Sequence, residues 1–185
     1  MTDIDAVFDI VSNKLYNAGI DCILIGGFAV NYYGYTRNTL DVDFMIFMKQ
    51  LSIVREIMIK EGFTNIIIED NVAFFVNPDS AMRVDFLVVD KDTMQKLNNN
   101  IISASIHGYE LRIPALKDLI SMKIFSLSQN ITRRISKDLY DISYLSILNN
   151  LDLDSDIKPL CDRFGSEEVF GLIKDQIKVL GGNNV

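Results

Sequence analysis

Residues 24–43 read Leu-Ile-Gly-Gly-Phe-Ala-Val-Asn-Tyr-Tyr-Gly-Tyr-Thr-Arg-Asn-Thr-Leu-Asp-Val-Asp. An apolar strand, residues 21–25, is broken by Gly26-Gly27. The spacing predicts a short helix over 28–33, stopped by Gly34, and a second apolar strand over 40–48. Side chains alternate faces along a strand, so Leu40, Val42, Phe44 and Ile46 point one way and Asp41, Asp43, Met45 and Phe47 the other. Asp41 and Asp43 then sit side by side, their Cα atoms roughly 6–7 Å apart. Two ionised carboxylates so close repel each other, and a divalent cation reverses that penalty. Asp85 projects from another apolar run, 82–89, and if the two strands pair the three carboxylates converge. Asp41 and Asp43 could instead cap a strand end or pair with Arg37 and Arg83. The company of Gly26-Gly27 and Asp85 favours the metal reading.

Outward from this stretch, Ile4, Val7, Phe8, Val11 and Leu15 recur at helical spacing over 4–17, with Gly19 as a stop. A helix is predicted over 51–61, ended by Gly62. Strands are predicted over 63–69, 72–76 and 82–89, with a turn at Asn77-Pro78-Asp79. A short helix over 93–98 precedes a hairpin, 101–106 and 109–113, around His107-Gly108. From Pro114 the pattern turns helical, over 116–127, 135–148, 157–164 and 167–180, and residues 181–185 read as a loose tail. The expected architecture is α+β: a mixed β-sheet flanked by helices over 1–113, followed by a C-terminal helical subdomain over 114–185, the two forming one compact unit.

Composition narrows the function classes. Of 185 residues 49% are apolar, so disorder is not the default, and the net charge of −7 argues against a broad nucleic-acid footprint. No apolar run approaches the ~20 residues needed to span a bilayer. Met1-Thr2-Asp3-Ile4-Asp5 is acidic and carries no apolar signal core, and Cys22 and Cys161 stand far apart with no partner motif. A cytoplasmic location without membrane attachment is the expectation. His107 is the single histidine, which disfavours a histidine-ligated phosphohydrolase.

Gly26-Gly27-Phe28-Ala29-Val30, Gly34 and Thr36-Arg37-Asn38-Thr39-Leu40-Asp41-Val42-Asp43 together resemble the DNA polymerase β-like nucleotidyltransferase superfamily. Within it, the stretch is similar to the small prokaryotic branch that includes antibiotic adenylyltransferases and type IV toxin–antitoxin nucleotidyltransferases. Arg83-Val84-Asp85-Phe86-Leu87 looks like the third-carboxylate strand, the 113–123 segment like the helix after the core, and Lys137-Asp138-Leu139-Tyr140-Asp141 like the Lys-Asp-x-x-Asp helix. The resemblance implies transfer of an NMP from an NTP, such as ATP, to an acceptor hydroxyl, with release of pyrophosphate. Asp41, Asp43 and Asp85 would hold Mg²⁺ or Mn²⁺ and carry the catalysis, with Asp85 on the acceptor side. Gly26, Gly27, Arg37 and Lys123 would bind the nucleotide. A tRNA end, a protein or a small molecule would be the acceptor, and an antitoxin a possible partner. The pattern departs at Gly27, where many members have serine, and at Phe28 and Thr39, where antibiotic-modifying members often have tryptophan and histidine. The alternative on the same fold is a non-catalytic nucleotide-sensing or partner-binding module. Lys137, Asp138 and Asp141 organise the site or pair structurally, and Tyr32, Tyr33 and Tyr35 flank a base or pack near Gly34.

Overall fold

The computed structural model describes residues 3–181, so residues 182–185 of the expected tail lie outside it. The chain divides into two compact units, Met1–Tyr32 with Arg37–Ala115, and Tyr33–Thr36 with Leu116–Val185.

The first unit carries the sheet. Helix α1 (Asp3–Asp9) continues as a wider π-helical stretch, Ile10–Leu15, and buries Val7, Phe8, Ile10, Val11 and Leu15. Gly19 ends it at φ +72°, as expected of a left-handed cap. Strand β1 (Ile23–Ile25) leads directly into α2 (Gly26–Tyr32), so the helix begins at the two glycines rather than at Phe28. Then come β2 (Asp41–Phe47), α3 (Leu51–Lys60), β3 (Asn65–Glu69), β4 (Val72–Val76), β5 (Arg83–Val89) and α4 (Lys91–Asn98). The Asp90 carboxylate caps α4 by accepting from the Thr93 N–H. The hairpin β6 (Ile102–Ile106) and β7 (Tyr109–Ile113) turns at His107 and Gly108, both at positive φ. His107 sits at this turn, with its ring edge-on to Phe8 and Phe28.

The main sheet has the order β1-β2-β5-β4-β3. Strands β2 and β5 pair in parallel and every other neighbour is antiparallel. A parallel neighbour needs a crossover, here α3 and the β3–β4 hairpin. Phe44, Phe75 and Phe86 interlock beneath the sheet, with Phe86 stacked on Phe44 at 5.8 Å and edge-on to Phe75 at 5.5 Å. Val42, Phe44 and Ile46 are buried as the alternation predicts, but Leu40 is not: it precedes the strand and is 92% exposed.

The second unit is helical: α5 (Leu116–Gln129), α6 (Ile131–Arg134), a π-helical stretch Ile135–Leu139, α7 (Tyr140–Leu148), a second such stretch Leu153–Ile157, α8 (Lys158–Phe164) and α9 (Glu167–Val179). Asp152 and Ser166 cap the chain where helix restarts, accepting from the Ser155 and Val169 N–H groups. Tyr35 stacks on Tyr144 at 4.2 Å, and the Tyr33 carbonyl accepts from Asn149, so the 33–36 segment packs against α7. Among the described residues no helix is long and apolar enough to cross a membrane.

Candidate functional site

The parallel register of β2 on β5 builds the carboxylate cluster. Asp43 lies opposite Asp85, Asp41 opposite Arg83, and Ile25 at the end of β1 opposite Asp43. One carboxylate oxygen each from Asp41, Asp43 and Asp85 lies within 4.8 Å of the other two. Among the described residues this is the one group of three or more Asp, Glu, His or Cys side chains close enough to share an ion. Asp41 and Asp43 are half-buried and Asp85 is buried, its exposure 7%. At an effective dielectric near 20, two unit charges about 5 Å apart repel by roughly 3 kcal/mol, so the cluster needs cations nearby.

The donor set fits magnesium or manganese. All three groups are hard oxygen ligands, with no sulfur or imidazole among them. Two oxygens on one Mg²⁺ ion lie at most about 4.2 Å apart, since each bond is about 2.1 Å. Side-chain rotations of a few tenths of an ångström close the observed spacing to that.

The glycine turn is shaped around this cluster. Gly26 has φ +64°, and a Cβ on it would lie 1.9 Å from Asp43 Oδ2, so the start of α2 rests directly against that carboxylate. A Cβ at Gly27 would lie 2.5 Å from Thr39 Oγ1 and 2.7 Å from Thr39 Cβ. Two of the three departures noted in the sequence therefore meet in space: Thr39 fills the place that a side chain at 27 would take. Its hydroxyl also lies 3.2 Å from Asp41 Oδ1 and 3.1 Å from the Asp41 carbonyl, either of which can accept its proton.

Arg37 lies on the return from α2 to β2. The Asn31 side chain accepts from its N–H at 3.0 Å and donates to its carbonyl at 3.1 Å, which fixes the backbone of the return. The sequence offered Arg83 only as an alternative partner of Asp41 and Asp43; its fork grips Asp85, Nε to Oδ1 at 2.7 Å and Nη2 to Oδ2 at 2.5 Å. The guanidinium pKa is raised, first by these hydrogen bonds, against burial, and then by the charges of Asp85, Asp41 and Asp43. The signal was present, because residues 83 and 85 share a face of one strand.

Lys123 belongs to the second unit. Its ammonium is buried between Asp138, at 2.9 Å, and Asp141, at 2.8 Å. Ser126 donates to the second oxygen of Asp138, and Arg134 stands 3.9 Å from it. Asp138 and Asp141 therefore form an ion cluster with Lys123, with Arg134 at its edge beside Asp138. Burial works against the lysine charge, but the two carboxylates outweigh it and hold its pKa above the usual lysine value. Cys22 and Cys161 are buried and unreactive by the same physics: burial pushes the Cys161 thiol up to about 12 and Cys22 higher still.

No protein-family model matches the chain, and no curated protein sequence does. Solved structures do match. An antigenic nucleotidyltransferase-like protein from Paracoccidioides brasiliensis superposes with a TM-score of 0.58 at 17% identity, covering 96% of this chain and 88% of that one. ANT(2'')-Ia in complex with adenylyl-2''-tobramycin gives 0.58 at 13% identity, covering 97% and 99%. The lincosamide antibiotic adenylyltransferase LnuA, lincomycin-bound, gives 0.57 at 12% identity, covering 80% and 98%. The likeness extends over most of this chain and of each of these proteins: the chain is built on the nucleotidyltransferase fold.

Proposed function

We propose that the protein is a metal-dependent nucleotidyltransferase, moving an NMP from an NTP to an acceptor hydroxyl with release of pyrophosphate. The observation that carries this is the convergence of Asp41, Asp43 and Asp85 beside the Gly26-Gly27 turn, on a fold shared with nucleotidyltransferases. The three aspartates would hold Mg²⁺ or Mn²⁺. When bound, the ion neutralises phosphate charge and lowers the pKa of a hydroxyl or water beside it. Gly26 and Gly27 keep side chains out of the approach to Asp43 and Thr39, leaving backbone open to a phosphate. Thr39 orients Asp41 by hydrogen bonding, and Asp85, the most buried of the three, would help deprotonate the acceptor hydroxyl or hold a second metal ion. Most of the rate enhancement then comes from positioning and charge neutralisation rather than from covalent chemistry.

Arg37 and Lys123 enter this reading through the resemblance of their segments; the ammonium of Lys123 is already committed to Asp138 and Asp141. The acceptor is a small-molecule alcohol, a protein hydroxyl or a tRNA end. An antitoxin partner and a cytoplasmic location are what kinship to the toxin branch would add.

The test is incubation with each α-labelled NTP, Mg²⁺ or Mn²⁺, and acceptors of the three classes. Labelled product that disappears in Asp43→Ala supports the reading. Transfer that persists in that variant removes the site assignment, and nucleotide binding with no turnover on any acceptor supports the non-catalytic module instead.

A further inference from the structure

We infer that the outer edge of β3 is a dimer interface, at which two copies of the chain pair their β3 strands antiparallel about Ile67. β3 closes the sheet order β1-β2-β5-β4-β3 and has β4 as its one neighbour. Asn77 donates to the Met82 carbonyl and Val88 to the Asn71 carbonyl. Along the same register Ala73 and Phe75 bond to β5, and Val72, Phe74 and Val76 bond to β3. Their partners Glu69, Ile67 and Asn65 therefore turn their backbone groups inward, and Ile66 and Ile68 turn theirs outward. Among the described residues no backbone group outside the sheet bonds to residues 65–69.

The side chains leave the edge equally open. Asn65–Glu69 holds three consecutive isoleucines, yet four of its five positions are exposed, Ile67 at 59% and Ile68 at 52%. Open edges are ordinarily blunted by lysine, proline or a bulge. β3 carries no lysine or proline, and its register on β4 runs unbroken.

Charge selects a second copy as the occupant. One end of the strand, Thr64-Asn65, is neutral, and the other, Glu69-Asp70, is acidic. Antiparallel pairing about Ile67 sets Glu69 against the partner's Asn65, an acceptor against a donor, and Asp70 against the partner's Thr64. It also sets Ile66 against the partner's Ile68, the residues with outward N–H and C=O groups, and Ile67 against the partner's Ile67. Parallel pairing in register would instead place Glu69 beside the partner's Glu69. The strand is thus complementary to itself in one orientation, as a two-fold interface requires. One pair of five-residue strands is smaller than the ~1,200 Å² of a stable interface, so the dimer is weak and depends on concentration.

None of this depends on the reaction at the carboxylates, and the readout is association rather than turnover. Sedimentation velocity of the full chain from about 5 to 500 μM should show a monomer–dimer equilibrium. Ile67→Lys, which opposes two ammonium groups across the two-fold axis at an exposed position, should weaken it at least about tenfold. Circular dichroism checks that the variant folds. Ile67→Cys tests the register, because residues in a pair without mutual hydrogen bonds have Cα atoms about 4.5 Å apart, within disulfide reach. Oxidation with copper–phenanthroline should link Ile67→Cys chains into a dimer. It should also link a mixture of Asn65→Cys and Glu69→Cys chains, but neither alone. The native protein, whose Cys22 and Cys161 are buried, should stay unlinked. A monomer throughout the range, or no link in Ile67→Cys, overturns the interface. So does a dimer undiminished in Ile67→Lys, or linking of Asn65→Cys or Glu69→Cys chains alone, since the contact then lies elsewhere or in another register.

Discussion

Substituting Gly26 by alanine tests how tightly the glycine turn is coupled to the carboxylates. Two costs add. The backbone sits at φ +64°, in the left-handed region, where an L side chain loses about 1–2 kcal/mol. The new Cβ would also lie 1.9 Å from Asp43 Oδ2, 2.6 Å from its Cγ and 2.8 Å from its Cβ. Because β1 and β2 are paired at this point, the backbone cannot retreat, and the carboxylate must swing away. Overpacking of this kind costs about 1–3 kcal/mol. A total of about 2–5 kcal/mol should lower the Tm by roughly 4–20 °C for a chain of this length. In an Asp43→Ala background only the 2.8 Å contact survives, so the same substitution should cost roughly 1–2 kcal/mol less there. The assay is a metal-free thermal or urea unfolding cycle on the four proteins, with Mn²⁺ titration of the single Gly26 variant. Equal costs in both backgrounds, together with undiminished Mn²⁺ binding, would refute the claim that the glycine exists to seat Asp43.

Three further outcomes follow from the second unit. Lys123→Met leaves Asp138 and Asp141 buried without their shared ammonium and should cost about 3–5 kcal/mol, read by urea unfolding. Because the folded lysine pKa is raised, its contribution is fully present below the ordinary lysine value of 10.5 and fades as pH rises through the folded pKa. The stability gap between native protein and Lys123→Met should therefore stay constant from neutral pH to near 10 and narrow only above it; narrowing at neutral pH would contradict the cluster. Gly165→Ala places a Cβ 2.8 Å from Ile124 Cγ2 and should destabilise by about 1–3 kcal/mol without changing Mn²⁺ affinity, as calorimetry would show.

Much of this was legible in the residues because the signals are local. Alternation marked β2 and β5 to within a residue, and Gly34, Gly62 and Gly108 marked turns that do have positive φ. Leu40 was misplaced because apolar character alone cannot tell the last loop residue from the first strand residue. The π-helical stretches at 10–15, 135–139 and 153–157 leave no mark in a hydrophobic pattern of period 3.6. Convergence of Asp43 and Asp85 depended on a non-local parallel pairing, across a 42-residue separation, that no short motif encodes. Lys123 shows the same limit: its ion-pair partners lie 15 and 18 residues away on another helical segment. The meeting of Gly27 with Thr39 was likewise invisible, since neither residue hints at the other.

The central claim is that the bond broken lies between the α- and β-phosphates. Parallel reactions with α-labelled and γ-labelled NTP, in the presence of Mg²⁺ and a competent acceptor, test it most directly. The account predicts α-label in the acceptor and γ-label in pyrophosphate, with both signals lost in Asp41→Asn and Asp43→Asn. Appearance of γ-label in the acceptor, or as inorganic phosphate with the α-label left in a nucleoside diphosphate, would contradict it.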